Sequence, residues 1–418
     1  MWFKLNNTSS VSIWDYIIVL IIIYVSGKTL IFSANINPTY VLLFNIFPIL
    51  FLPFLYLYVH GKKSYLKSGE IKRLEEFFVA FCALLVLSAI FNLDFRGGYV
   101  ITLLFFLTSY IYVRTVPLNK FLSIFENIVW WITLVSVPVF IISYFVPNIR
   151  ALFPTITNAG FNTYANLFIT VIPLWDTDSS LFRLYGPFNE PGMYQIYLNL
   201  ALLFHIHLNG RLQLKKAIVY ILALLLTLST AGYICLAFVL LGYMFSLNRR
   251  ENKYKNYAIA LLIIIAFGLI YTQTTLLTSE SDVFRKFSAE NVSAVSREAS
   301  VIVNLETFMK NPIAGVGFSN IQDIFESICQ SKYGFSQGIS NTNSILFPFA
   351  TLGLFFGLFW CYGIYLFARI FGANITSRTL TVLAVFLMMS GELVFGCFWI
   401  YAFIGYGILE KRKSWFRK

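Results

Sequence analysis

The chain of 418 residues is 58% hydrophobic and only 12% charged, and it carries 44 Phe and 25 Tyr. Soluble domains are roughly 25% charged, so this composition excludes a water-soluble fold. The formal net charge of +12 is scattered over short connecting segments, which makes it a signature of topology and lipid-headgroup attraction, not of a nucleic-acid surface.

Apolar runs of near 20 residues recur along the chain, about the length a helix needs to cross a bilayer core. With no water there, backbone groups must bond within each segment, so the runs are helices. The first five spans are expected at 13–32, 38–59, 77–93, 98–113 and 121–146. One lysine precedes the first run and no clear small-residue cleavage site accompanies it, so it reads as a retained helix and not a removed signal peptide. Asp15 and Glu126 fall near the cytoplasmic ends of their spans and are expected to reach water.

A long external loop at 147–190 follows, ending in Arg183-Leu184-Tyr185-Gly186-Pro187-Phe188-Asn189-Glu190-Pro191. Pro191 suits the first position of a helix, and Asn189 or Glu190 the cap before it. The free N–H groups of that helix make an anion site. Arg183 lies a few residues upstream, able to fold over the same spot. The plainer alternative is that Glu190 only caps and Arg183 only reaches lipid headgroups. For the two residues together the functional reading is the stronger.

Four more spans are expected at 191–208, 216–230, 231–247 and 256–273, and then a second long external loop at 274–343. A helix is predicted within it from 294 to 310, with Val301, Leu305 and Phe308 on one face and Asn311-Pro312 as its stop. Arg297 falls in its first turn, where the helix dipole favours acids over bases. A local rule broken without compensation often marks a functional site, and a guanidinium can hold phosphate with a planar fork. The alternative is a pairing with Glu298 or a surface salt bridge. Gly315-Val316-Gly317 reads more as a turn than as a phosphate cradle, and Asn341-Thr342-Asn343-Ser344 leads into a tenth span at 344–371. Gly353 and Gly357 in that span suit close helix packing. Spans at 379–391 and 393–409 complete the series, with Glu392 expected in water in the outer turn between them.

Orientation follows from the lysine and arginine bias. With the N-terminus inside, 22 of the 31 basic residues lie on the cytoplasmic side. The other nine (Lys28, Arg96, Arg150, Arg183, Arg285, Lys286, Arg297, Lys310 and Lys332) spread over much longer external loops. Both termini are then cytoplasmic. Cys329 is the one cysteine outside a span, so no disulfide framework is implied, and His60, His205 and His207 sit on or near the cytoplasmic side. No internal repeat divides the chain. The expected architecture is an all-α polytopic membrane protein, a single membrane-embedded domain over 1–418 with about 12 transmembrane helices.

Three motifs in this order resemble one family. They are Arg183-x-x-Gly186-x-Phe188-x-Glu190-Pro191 before a span; Arg297 followed by Asn311-Pro312-x-x-Gly315-x-Gly317; and Asn343 leading into Gly353-Leu354-x-x-Gly357. The set is similar to the O-antigen polymerase (Wzy) and O-antigen ligase (WaaL) superfamily of bacterial inner-membrane glycosyltransferases. The resemblance implies a GT-C-like fold and a periplasmic active site that needs no metal or other cofactor. Its donor would be an undecaprenyl-pyrophosphate-linked oligosaccharide. Arg183 and Arg297 would hold the pyrophosphate, and Tyr185 and Asn343 would bind substrate. An acceptor hydroxyl would attack the anomeric carbon, with undecaprenyl pyrophosphate leaving. Glu190 is the first candidate for the base, ahead of Glu392, Asp176, Asp178 and Glu298. Membrane lipids and a chain-length regulator protein are the other partners considered.

Ligases resemble one another in a His-Asn or His-Ser pair at the start of the span after the large loop. Here that position reads Thr342-Asn343, and the expected external regions contain no histidine. The polymerase is therefore favoured over the ligase. A flippase or other transporter, without chemistry, is the third reading; it should show charged residues in mid-span, and these spans are almost free of charge.

Overall fold

A computed structural model of the protein describes residues 11–26, 28–33, 51–52, 55, 58, 64–157, 163–174, 182–246, 292–334 and 340–410. In chain order the helices are α1 (Ile13–Ser26), α2 (Ser68–Phe91), α3 (Gly97–Thr115), α4 (Leu118–Phe145), α5 (Pro191–Asn209), α6 (Leu214–Leu226) and α7 (Thr230–Ser246). They continue as α8 (Val292–Lys310), α9 (Gly317–Tyr333), α10 (Phe347–Leu352), α11 (Leu354–Ala368), α12 (Ile375–Ser390) and α13 (Phe398–Glu410). Short helical turns at Leu30–Ser33, Pro147–Leu152 and Arg369–Phe371 are left unlabelled. Between α4 and α5 lie β1 (Thr155–Thr157), β2 (Thr163–Asn166) and β3 (Val171–Pro173).

This is a helical membrane protein. Four helical stretches, α2, α3, α4 and Leu354–Phe371, are long and apolar enough to cross a bilayer, and α1, α7, α12 and α13 are shorter apolar helices. The expected spans at 256–273 and, for the most part, at 38–59 lie outside the described residues. Helix length thus carries four of the expected twelve spans, and the remainder rest on sequence.

The described residues form two compact units. One comprises Met1–Tyr65 and Thr115–Lys253, the other Leu66–Arg114 and Tyr254–Lys418. In the first, α5 is the centre: every residue from Pro191 to Ile206 is buried, the mark of a helix enclosed on all sides. It packs on α4, α6 and α7, and α1 packs on α4. Pro191 opens α5 as expected, and Gly210 ends it in the left-handed conformation (φ 64°) that only glycine adopts without strain. Phe125 of α4 stacks on Tyr197 at 5.8 Å, and Tyr197 stacks on Phe188 at 4.3 Å.

The acids inside the spans do not reach water as free groups. Asp15 is buried, accepts from the Ser12 N–H and hydroxyl, and pairs with Lys120 at 2.8 Å. Glu126 is buried too, with its Oε1 meeting Lys216 Nζ at 3.0 Å, the Tyr220 hydroxyl at 2.9 Å and His205 Nδ1 at 3.2 Å. A buried carboxylate is costly unless paired, so neighbouring helices supply the partners that water was expected to provide.

In the second unit α11 lies against α13. Small residues let the backbones approach: a Cβ on Gly407 would fall 2.5 Å from the Phe367 backbone nitrogen, and one on Gly363 would fall 2.6 Å from Ile404. Phe367 stacks on Phe403 at 4.1 Å, and Trp360 meets Phe395 and Tyr401 at 4.9 and 5.3 Å. The expected tenth span is broken at Gly353, whose φ of +86° ends α10 and starts α11 in a new direction. There Leu354 N–H donates to the Pro312 carbonyl (2.8 Å) and Val316 N–H to the Ala350 carbonyl (3.0 Å). The motif glycines are therefore joints between the second long loop and this break. A Cβ on Gly353 would sit 2.1 Å from the Ile313 carbonyl oxygen, and one on Gly315 would sit 2.4 Å from the Thr351 backbone. Gly353→Ala is expected to cost roughly 2–4 kcal/mol through overlap and backbone strain. Thermal unfolding in detergent checks this, with Gly69→Ala as the clash-free control that should not lose stability, since nothing lies within 4 Å of its added carbon.

Candidate functional site

In the first unit the segment from Arg183 to Pro191 is held at four backbone points. Leu184 N–H donates to the Leu226 carbonyl (2.9 Å), and Val171 N–H at the start of β3 donates to the Gly186 carbonyl (2.7 Å). Leu30 N–H donates to the Pro187 carbonyl (2.9 Å), and Asn189 N–H to the Lys28 carbonyl (3.2 Å). The antiparallel sheet β1-β2-β3, in register at Ile156↔Tyr164 and Ala165↔Ile172, supplies one of these supports. Gly186 has φ +57°, and a Cβ there would press on the Tyr194 ring at 3.0 Å. Phe188 is fully buried. Most of this motif is thus scaffolding.

Glu190 is the exception. It occupies the cap position before Pro191, with its carbonyl accepting from Met193 N–H, yet its carboxylate makes no capping bond and is exposed. The cap therefore falls on Glu190, one of the two residues expected there; the helix uses its backbone carbonyl, and the carboxylate faces outward. Arg183 does not reach for lipid headgroups. Its Nε donates to the Thr227 carbonyl (2.9 Å) and its Nη2 to the Leu228 carbonyl (3.2 Å), just past the C-terminal end of α6 where the dipole favours a cation. Tyr185 is half-buried, edge-on to Tyr164 at 5.7 Å, on the small cluster of Leu30, Tyr164 and Val171. Burial raises the Tyr185 hydroxyl above its ordinary range, with the Arg183 charge opposing that and the Glu190 charge adding to it. Arg183, Tyr185 and Glu190 therefore share one electrostatic neighbourhood.

In the second unit α8 begins at Val292, which puts Arg297 in its second turn and not its first. No base is therefore misplaced at this helix start. What remains is exposure: Arg297 projects outward, and among the described residues it has no carboxylate partner. Glu298, the alternative partner, shares a hydrogen bond with the Tyr333 hydroxyl instead.

Asn343, expected to contact substrate, is buried and heads the next helical turn, its Oδ1 accepting from Ile345 N–H (3.0 Å) and Leu346 N–H (2.9 Å). Asn341 and Asn304 exchange two amide hydrogen bonds at 2.8 and 3.0 Å, and Thr342 N–H donates to Ser300 Oγ at 2.8 Å. This polar seam ties the Asn341–Ser344 segment to the helix that carries Arg297. Ser344 continues it, donating from Oγ to the Glu392 carbonyl at 2.6 Å. Glu392 is 5% exposed, so the expectation of a carboxylate in open water is corrected. The turn folds inward because Ser344, Met389 and Val394 bond across it. Asp176 and Asp178 lie outside the described residues.

Sequence reasoning missed Asp94. It is buried in the turn after α2 and accepts from Ser319 N–H (2.7 Å) and Arg96 N–H (3.1 Å), fastening the start of α9. Burial alone would raise its carboxyl, but the Ser319 and Arg96 hydrogen bonds outweigh that and hold it below the ordinary range. A depressed folded value means stability that is present above the unfolded value of about 3.9 and is lost as pH falls through the folded one. Asp94→Asn is therefore expected to be less stable than the wild type at neutral pH, with the gap closing on acidification below about pH 4, read by melting at both pH values.

Residues 217–347 match the family model described as O-Antigen ligase (Wzy_C), consistent with the Wzy/WaaL superfamily. No curated protein and no solved structure matches the chain. The matched stretch contains Arg297 and Asn343, whereas Arg183, Tyr185 and Glu190 precede it.

Proposed function

We propose that this protein is a surface-polysaccharide polymerase of the bacterial inner membrane. It would transfer a growing glycan from undecaprenyl pyrophosphate onto a new lipid-linked repeat unit at the periplasmic face, with both termini cytoplasmic. The observation that carries the reading is Arg297: an outward guanidinium without a carboxylate partner among the described residues, inside the stretch that matches the O-antigen family model. An unpaired guanidinium is suited to a phosphate-bearing substrate.

In the proposed reaction the acceptor hydroxyl attacks the anomeric carbon and the bond from that carbon to the pyrophosphate oxygen breaks. Arg297 stabilises the charge that collects on the leaving pyrophosphate, a role that the family resemblance also implies for Arg183. Arg183 would act from a fixed position, because two helix-end carbonyls orient its guanidinium. Glu190, exposed and not engaged in capping, takes the acceptor proton. Tyr185 lies beside it as a substrate contact, while Asn343 sets the loop geometry from its buried position. A chain-length regulator and membrane lipids are the partners proposed.

The ligase reading shares the family match and differs in acceptor. Thr342, its N–H and hydroxyl both engaged with Ser300, stands where the resemblance places a ligase histidine, and the lack of that histidine is what favours the polymerase. The transport reading is disfavoured because the spans are almost free of charge. The experiment is reconstitution: purified protein in vesicles given one undecaprenyl-pyrophosphate-linked repeat unit. The reading expects a ladder of products, and unchanged single units would count against it.

A further inference from the structure

The helix that carries Arg297 is apolar on two sides. Its inner side, Val295, Ala299 and Val303, is packed against Phe325 and Cys329 of α9. Its outer side displays Val301, Ile302, Leu305 and Met309, with Leu305 44% exposed and Met309 65%. The neighbouring α9, from the same loop, exposes Asn320, Gln322, Asp323, Glu326 and Gln330 instead. Exposure of a contiguous apolar face on one of two adjacent helices calls for an occupant.

The chain leads from that face to a second exposed apolar side. It runs past the end of α8 to Ile313, 67% exposed, whose carbonyl lies against Gly353 at the head of α11. There α11 displays Phe355, Leu358, Tyr362 and Tyr365, the exposed side of a helix long enough to span. The same loop presents Arg297, exposed and one turn before Val301, to meet headgroup phosphates, while Lys310 and Lys332 beyond the stripe are engaged by Glu306.

We propose that α8 is an interfacial helix: the face of Val301, Ile302, Leu305 and Met309 lies in the acyl boundary of the outer leaflet, and Arg297 sits at headgroup depth. A guanidinium held at that depth meets the pyrophosphate of a lipid-anchored donor without lifting its tail from the membrane; this second step rests on the polymerase reading, and the docking itself does not.

The test places a photo-crosslinking residue at Leu305, at Met309 and, as a polar control, at Asp323. The full-length protein is put into vesicles of phosphatidylethanolamine and phosphatidylglycerol and irradiated. Lipid adducts by mass spectrometry are expected at Leu305 and Met309 and absent at Asp323. Protein-only crosslinks at Leu305 and Met309, or equal lipid yield at Asp323, would overturn the proposal. The double variant Leu305→Gln, Met309→Gln should raise KM for the lipid-linked donor with kcat and the unfolding midpoint near wild type; an unchanged KM would count against it. Lipid adducts on a protein that polymerises nothing would support the docking and sink the polymerase reading, so the two fail separately.

Discussion

Arg297→Ala is expected to abolish long-chain polysaccharide while material capped with a single repeat persists. Removing one preorganised donor from a developing negative charge typically costs about 10²–10³ in kcat, enough to empty a chain-length ladder. The structure adds a reason to expect a clean result. Arg297 is exposed and without an ion-pair partner among the described residues, so its removal should leave the fold of α8 intact. Arg297→Lys should fail nearly as badly, because lysine keeps the charge and loses the planar fork. A lysine variant with full activity would show that a point charge suffices. Arg183→Ala should also lose polymer, yet here the side chain holds the Thr227 and Leu228 carbonyls as well. Its unfolding midpoint is expected to fall along with activity, and that combination separates it from Arg297.

Glu190→Gln is the second large effect. If this carboxylate takes the acceptor proton, kcat should fall by about 10²–10⁴ with the donor KM little changed. Glutamine keeps size and shape, and no capping bond is lost, since the Glu190 side chain makes none. Full activity in this variant with loss in Glu392→Gln would move the base to the buried turn beside Ser344. Purified protein and a single lipid-linked acceptor suffice for the measurement.

How legible this was in the sequence depended on the scale of the signal. Helices of the spans were plain because bilayer thickness imposes a long apolar run, and Pro191 marked the start of α5 to the residue. Gly357 does sit tight against Phe349, but Gly353, expected to serve helix packing, meets the Ile313 loop backbone, and its φ of +86° divides one apparent span into two helices. The sheet β1-β2-β3 went unseen because strands of three and four residues carry no usable alternation. Pairing of Glu126 with Lys216 and His205 joins residues some 80 and 90 positions apart, which periodicity cannot register. The same holds for Asp94 and Ser319. At the candidate site, Glu190 and Arg297 are exposed, although Arg297 was singled out for a first-turn position that it does not occupy. Residue types could not show that Arg183 is oriented by helix-end carbonyls, or that Asn343 heads a buried turn.

The central claim is that this chain lengthens a lipid-linked glycan, and deletion followed by a polysaccharide gel tests it most directly. Loss of a polymerase leaves finished lipopolysaccharide bearing one repeat, restored to a full ladder by the wild-type chain and not by Arg297→Ala. A full ladder without the protein would contradict the account. So would finished lipopolysaccharide with no repeat while long chains remain on the lipid carrier, the result a ligase gives.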